Sequence, residues 1–430
     1  MGWPLMLALA VGSIHPRPAR AANRVGLAVI SEDSFSQRPA ELLEYLGSAR
    51  LQREPDTELV AGEDLLSEGA NSDVEARFLE AIEKVTAGVK GYDNLEPQVA
   101  LRELGAALRT FEQMPVRLSE QLGPYYKALT YLGASHVAKG DKQAGQAAFR
   151  RLLVIERRAK LDSRLFPPDM VRMFESARKE VSTEAGGMLS VYSSPENAKV
   201  FVDGNFRGVT PCEVAGLPFG KHIVRLSKAG YEPWGRVVKV VRDAENAVTC
   251  RLVELAGKQS FFLDLSMAAA SIEEGKPLTD ALRARMQEQL IDRLLIGRLS
   301  QRGEGLKIGL ALYEVSSGKN LRYYVSAVSR EQKEFSQAAE ALFSYLLTGR
   351  RDVLQSLPDL TAADVDPIKF RDEDQFAREE EKPEWYETWW FWTAVGAGVV
   401  AVVATGVALG LTLQGESPPG AQILLEFDVD

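Results

Sequence analysis

Residues 194–211 read SPENAKVFVDGNFRGVTP, two glycines, an aspartate and an arginine packed between two prolines. Such a stretch can cradle a ligand or simply turn the chain, and its flanks decide which. Val200 and Val202 alternate on one face before it turns, and the same alternation recurs around it. Leu189 and Val191, Val224 and Leu226, Val238 and Val240, then Val248, Cys250 and Leu252 each share a face. Short alternating runs split by Gly, Pro and Asp predict antiparallel strands with one buried face, and five or more of them over 187–255 predict a small β-sandwich. Asp203-Gly204 then closes a tight turn, because glycine takes positive φ without steric cost. Gly208 and Gly220 are expected at later turns. A phosphate loop would need a helix directly after it, with Lys and Ser or Thr close by. Strands lie on both sides here, so the reading is structural. His222 opens a strand after a glycine turn and is expected to stabilise that turn rather than catalyse.

The segment resembles the PEGA domain family. The residues that carry the likeness are Ser194-Pro195, Ala198, Val200, Val202-Asp203-Gly204, Gly208, Thr210-Pro211, Leu217, Gly220, His222, Val224 and Gly230-Tyr231. The name-giving tetrapeptide is Pro195-Glu196-Asn197-Ala198 here, and Asn tolerates the left-handed turn that glycine would occupy. The resemblance implies an accessory module attached to surface, sensory or kinase proteins, with no ligand specified. Cys212 and Cys250 are both expected to face inward from their strands. They can pair in an exported protein, closing a loop of about 39 residues worth roughly 4 kcal/mol, or stay as two buried free thiols.

Outward from the sandwich the period changes. Residues 71–184 form a helical region rich in Ala, Leu, Glu and Arg. Within it Leu132-Gly133, Gly140 and Phe149, with Leu129 and His136 at the usual aromatic positions, resemble one tetratricopeptide repeat over Tyr126 to Ala159. Asp93 to Met114 looks like a degenerate neighbour. Gly140-Asp141 breaks two periodic segments, and Gly133 and Gly145 are small enough for close helix approach. His136 is expected to be a half-buried packing residue. Beyond the sandwich, 258–350 is expected to be an α/β domain: a strand at Phe261 to Leu265, a long helix from Leu278 to Ser300, strands at Leu306 to Val315 and Leu321 to Val328, and a helix at Phe335 to Leu347. In element pattern alone it resembles the α/β half-domain of TolB-type envelope proteins. A short α/β segment, 23–70, is expected to hold a strand at Val25 to Ile30, a helix at Pro39 to Leu51 and a strand at Glu58 to Ala61. Its Val25 to Leu66 stretch offers strands that the later domain lacks.

The two ends point to a membrane. Trp3 to Val11 followed by Ala19-Arg20-Ala21-Ala22 predicts a signal peptide over 1–22, although its basic residues follow the apolar run. Residues 351–388 are acidic, carry three prolines and read as a disordered linker. From Trp389 to Leu413 none of the 25 residues is charged, and that many helical residues reach about 37 Å, enough to cross a bilayer. Trp385, Trp389, Trp390 and Trp392 crowd its start, where amphipathic rings favour the headgroup layer. Gly406 and Gly410 form a GxxxG that would suit dimerisation, and a short tail, 414–430, ends the chain. Arg378 and Lys382 place the amino-terminal side in the cytoplasm by the positive-inside rule; a cleaved signal places it outside, and that periplasmic topology is the expectation adopted.

Composition narrows the rest. The 430 residues carry a net charge of −9 with acid and base mixed, and no basic run tracks a nucleic-acid backbone. Three histidines and two cysteines leave too few ligands for a conventional zinc site, and no motif marks an enzyme, a metal or a cofactor. The expectation is a multidomain α+β, non-catalytic scaffold or binding protein of a bacterial cell envelope, anchored by one helix and presenting its modules to a protein partner. The alternatives are a cytoplasmic-facing tail-anchored adaptor and a polysaccharide-binding surface module using Phe206, Tyr231 and Trp234.

Overall fold

The computed structural model describes residues 23–354 apart from 63, 67–71, 304 and 330. The predicted signal peptide, the membrane span with its tryptophans and glycines, the tail, and nearly all of the predicted linker lie outside these residues. Among the described residues no helix is long and apolar enough to cross a membrane.

The chain starts with β1 (Asn23–Ser31), α1 (Gln37–Leu51) and β2 (Thr57–Val60). It returns to the same layer only after 190 and more residues, with α8 (Lys258–Ala270), α9 (Asp280–Glu288), β10 (Arg293–Arg302), β11 (Gly305–Glu314), β12 (Asn320–Val328) and α10 (Gln332–Thr348). These strands form one five-stranded sheet in the order β12-β11-β10-β1-β2. β1 lies parallel to β10, Val25 opposite Arg293 through Ser31 opposite Leu299, while β10, β11 and β12 form an antiparallel meander. Val25 to Leu66 therefore supplies two of the five strands. Both faces of the sheet are covered: Leu42, Leu43, Phe335, Leu342 and Phe343 of α1 and α10 pack on one side, Phe261, Leu265, Leu282 and Met286 of α8 and α9 on the other. A sheet buried on both faces reads as continuous apolar runs, as β10 does in Leu294-Leu295-Ile296.

Two expected elements are corrected here. Phe261 to Leu265 is not a strand but the first part of α8, whose buried residues Phe261, Leu265, Ala268 and Ala269 recur at helical spacing. The expected helix from Leu278 to Ser300 is really α9 followed by β10. Leu282 and Met286 lie on the helix, yet Leu290 is 70% exposed with φ +56°, ending it, and Leu294 starts a buried strand. The i, i+4 spacing of 282, 286, 290 and 294 ran across the boundary by coincidence.

Among the described residues, six helices and then seven strands come between β2 and α8. α2 (Ser72–Asp93) pairs with α3 (Pro97–Glu112); α4 (Pro115–Glu120) is short; α5 (Gly123–Ala138) pairs with α6 (Lys142–Ile155), and α7 (Pro168–Thr183) packs on α6. Asp141 caps α6, its carboxylate accepting from the Ala144 amide at 3.0 Å. Gly133 faces Phe149 so closely that a Cβ there would lie 2.5 Å from the ring, so the α5–α6 contact requires a residue without one. Leu129 is fully buried in this helical core and His136 is partly exposed on its margin.

The strands β3 (Gly187–Ser194), β4 (Lys199–Val202), β5 (Asn205–Val209), β6 (Cys212–Leu217), β7 (Gly220–Ser227), β8 (Trp234–Val240) and β9 (Asn246–Arg251) make the sandwich. One sheet has the order β6-β3-β9, the other β5-β4-β7-β8. Leu189, Val191, Val200, Val202, Val224, Leu226, Val248, Cys250 and Leu252 meet between them, the faces read from alternation. One pairing departs from the antiparallel expectation: β9 runs parallel to β3, Leu189 opposite Asn246 through Ser194 opposite Arg251.

Candidate functional site

The 194–211 stretch forms a β-hairpin held by its own motif residues. Val202 pairs with Asn205 across the two-residue turn Asp203-Gly204, both of which have positive φ, 52° and 73°. That is the geometry for which Asp-Gly is selected in hairpins. Asn197 adopts φ 60° as its substitution for glycine predicts. Thr210 is fully buried; its hydroxyl accepts from the Ala198 amide at 3.0 Å and meets the Ser193 hydroxyl at 2.5 Å. Gly208 does not sit at a turn: it lies inside β5, facing Val200 where the register shifts.

His222 is more deeply held than the sequence implied. Its ring is fully buried, with Nδ1 2.6 Å from Asp203 Oδ2 and Nε2 2.7 Å from the Pro218 carbonyl. The other carboxylate oxygen of Asp203 accepts the Ile223 amide at 2.9 Å. Burial works against the imidazolium. The Asp203 charge, its hydrogen bond and the Pro218 carbonyl outweigh that cost, so the pKa of His222 is raised above 6.5. Every polar atom of the pair bonds to protein, so this couple fastens the β4–β5 turn to β7.

Cys212 and Cys250 do not form the bridge that export would permit. Both are free and buried on strands either side of β3, opposite Val191 and Ser193. Two strand spacings of about 4.8 Å separate them, beyond the reach of a disulfide. Burial pushes the Cys212 thiol up to about 12 and raises that of Cys250 as well, which leaves both as inert core residues.

The outer face of the four-stranded sheet is occupied by the rest of the chain. At its β4–β5 end it seats on α1. Lys199 Nζ lies 2.9 Å from Glu44 Oε1, with the side chains only 3% and 2% exposed. Phe206 stacks on Tyr45 with centroids 4.2 Å apart. Asn197 donates to Gln37 at 2.9 Å and accepts from Arg38 at 3.3 Å, and Lys228 pairs with Glu41 at 3.6 Å. At its β7–β8 end the same sheet seats on the helices. Ile223 is buried in the helical core, a Cβ on Gly235 would meet the Val116 amide at 2.8 Å, and Lys221 reaches Glu112 at 3.5 Å. A third contact ties Tyr231, whose hydroxyl accepts from Lys258 of α8 at 2.6 Å, while Gly230 lies against Lys258 and Phe262. What the stretch cradles is helix α1.

The other sheet, among the described residues, carries exposed side chains on its outer face around a buried Ser190. Met188 (48% exposed), Tyr192 (45%), Ala247, Thr249 and Arg251 present their side chains there, with Glu213 beside them. Phe206, expected as an exposed aromatic for sugar stacking, is 2% exposed, and Trp234 packs partly against the sandwich core. The docking residues Lys199, Asn197 and Phe206 were missed as such. The available signal was Phe201 and Phe206 on strands whose inward face was already filled by Val200 and Val202, which means both faces are covered.

Residues 186–255 match the PEGA domain family, in keeping with a binding or surface module. No curated protein matches the chain.

Proposed function

We propose that the chain is a non-catalytic scaffold of a bacterial cell envelope, held at the membrane by residues 389–413 and offering a protein partner the open β6-β3-β9 face. The observation that carries this reading is the asymmetry of the sandwich: one outer face is spent on its own chain, the other leaves Met188 and Tyr192 in solvent. Apolar and aromatic side chains on an otherwise solvated sheet are what partner contacts draw on. The paired helices α2–α3 and α5–α6 support a tetratricopeptide-like role beside it, since stacked helical hairpins bind partners through extended surfaces. The Asp203–His222 pair is buried and bonded to protein, which favours binding over chemistry.

The test places a photo-cross-linking amino acid at residue 192 or at residue 206 in cells. The proposal expects adducts to another protein at 192 and none at 206; adducts at neither position, or equally at both, would overturn it. Deleting 389–413 should release the protein into the soluble fraction after a high-salt wash, and persistent pelleting would refute the anchor.

A second reading, an adaptor facing the cytoplasm, is favoured by the two free thiols and by Arg378 and Lys382 before the span. Amino-terminal sequencing of the mature chain separates the two, because cleavage after Ala21 or Ala22 requires export.

A further inference from the structure

We infer that the corner where β7 and β8 meet α3 and α6 binds a phosphate-type dianion, held by Arg151, Lys221 and Lys239. Lys221 and Lys239 lie directly opposite each other in the antiparallel β7–β8 register, and like charges so placed repel. Both stand on the face that carries Ile223 and Val237 to the helices. Arg151 of α6 brings a third positive charge to the same place. Against these three stands one carboxylate, that of Glu112 at the end of α3. Its Oε1 meets Arg151 and accepts from the Tyr125 hydroxyl at 2.8 Å, and its Oε2 lies 3.5 Å from Lys221 Nζ. Among the described residues no other carboxylate pairs with Arg151, Lys221 or Lys239.

The surplus of positive charge is felt by the groups themselves. Burial, with Arg151 and Lys239 close by, holds Lys221 below the usual lysine range. Arg151 also donates to the Tyr125 hydroxyl at 2.6 Å, and its enclosed Nε finds no acceptor among the described residues. Three cations and one anion leave two positive charges, which a single dianion balances. The donors come from two strands and a helix, so they approach from different sides. A tetrahedral group of oxygens meets such donors better than a planar carboxylate, with lysine as a point charge and arginine adding direction. Lys221 is half exposed and Lys239 exposed, so the ligand enters from solvent. A sequence that keeps two lysines face to face gives up stability, and such departures gather at functional sites.

The test follows the thermal unfolding midpoint of the full-length chain with phosphatidylcholine vesicles present, comparing inorganic phosphate with chloride at matched ionic strength. A ligand bound only by the folded state raises that midpoint. Phosphate should raise it in the parent and equally in Lys276→Gln, which removes a surface lysine outside the cluster. Lys239→Gln should need about tenfold more phosphate for the same rise, the worth of one charge-assisted hydrogen bond. Lys221→Gln should show the same loss. Vesicles containing phosphatidic acid then separate the sources of the phosphate group. A rise without added phosphate, lost in Lys239→Gln, identifies a lipid headgroup; a rise with free phosphate alone identifies a solute, and either upholds the site. An equal phosphate response in the parent and Lys239→Gln is a general salt effect and overturns the inference. So does a rise given by a hexaglutamate peptide and not by phosphate, which would assign the corner to an acidic protein segment.

Discussion

The two sheets of the sandwich share one core and differ on their outer sides. The β5-β4-β7-β8 sheet is covered by α1 and by the helices, whereas among the described residues the β6-β3-β9 sheet faces solvent. Both halves look alike in sequence, short alternating strands with turn residues between. What separates them is whether an outward residue meets water or another part of the chain. Lys199 shows the difference most plainly. An outward lysine on a strand is ordinarily solvated, yet here it is buried against Glu44 and so commits the sheet to a fixed neighbour. The sandwich is thereby a built-in part of the structure on one side and a free module on the other.

Substitutions should break this contrast in a graded way. Phe206→Ala removes a buried ring and its stacking on Tyr45, and we expect a loss of about 3–5 kcal/mol in a denaturant titration. The same change at Tyr192 should cost no more than about 0.5 kcal/mol. Equal losses at the two positions would erase the distinction between the faces.

Next in size is Asp203→Ala, which strips the acceptor from His222 and from the Ile223 amide, at about 1–3 kcal/mol for each buried group left unpaired. The pair also gives stability a pH dependence with a definite sign. His222 has a folded pKa raised above its ordinary 6.5, so its contribution is complete below 6.5 and fades as pH rises through the folded value. Unfolding midpoints measured from pH 5.5 upward should fall across that window in the parent and flatten in Asp203→Asn. A parent profile without that fall would remove the charged pair from the account. The smallest effect is reserved for Thr249→Ala on the open face: stability should stay within about 0.5 kcal/mol, while cross-linking yield at residue 192 drops.

How much of this could be read from sequence follows contact distance along the chain. The sandwich was legible because its hairpins are local: Val202 and Asn205 pair across two residues, and Asp-Gly announces the turn. The α5–α6 pair was legible for the same reason, through Gly140-Asp141. The five-stranded sheet was only half legible, since β1 pairs with β10 across some 268 residues, and no local period encodes that partnership. Leu282, Met286, Leu290 and Leu294 kept a helical spacing across the real end of α9, and only tertiary burial distinguishes Leu294 in the sheet from Leu290 in solvent. Cys212 and Cys250 were correctly read as inward-facing, but alternation says nothing about which strand lies between them. That strand is β3.

The central claim is that the motif-bearing sheet is locked to α1, and a double-mutant cycle on Lys199 and Glu44 tests it most directly. Either single change, Lys199→Met or Glu44→Leu, removes the buried Lys199–Glu44 contact and should cost about 3–5 kcal/mol. The double variant replaces the pair by apolar side chains, so it should recover most of that loss, giving a large favourable coupling. If the two losses simply add, the side chains do not meet in solution and the sandwich is not docked on α1.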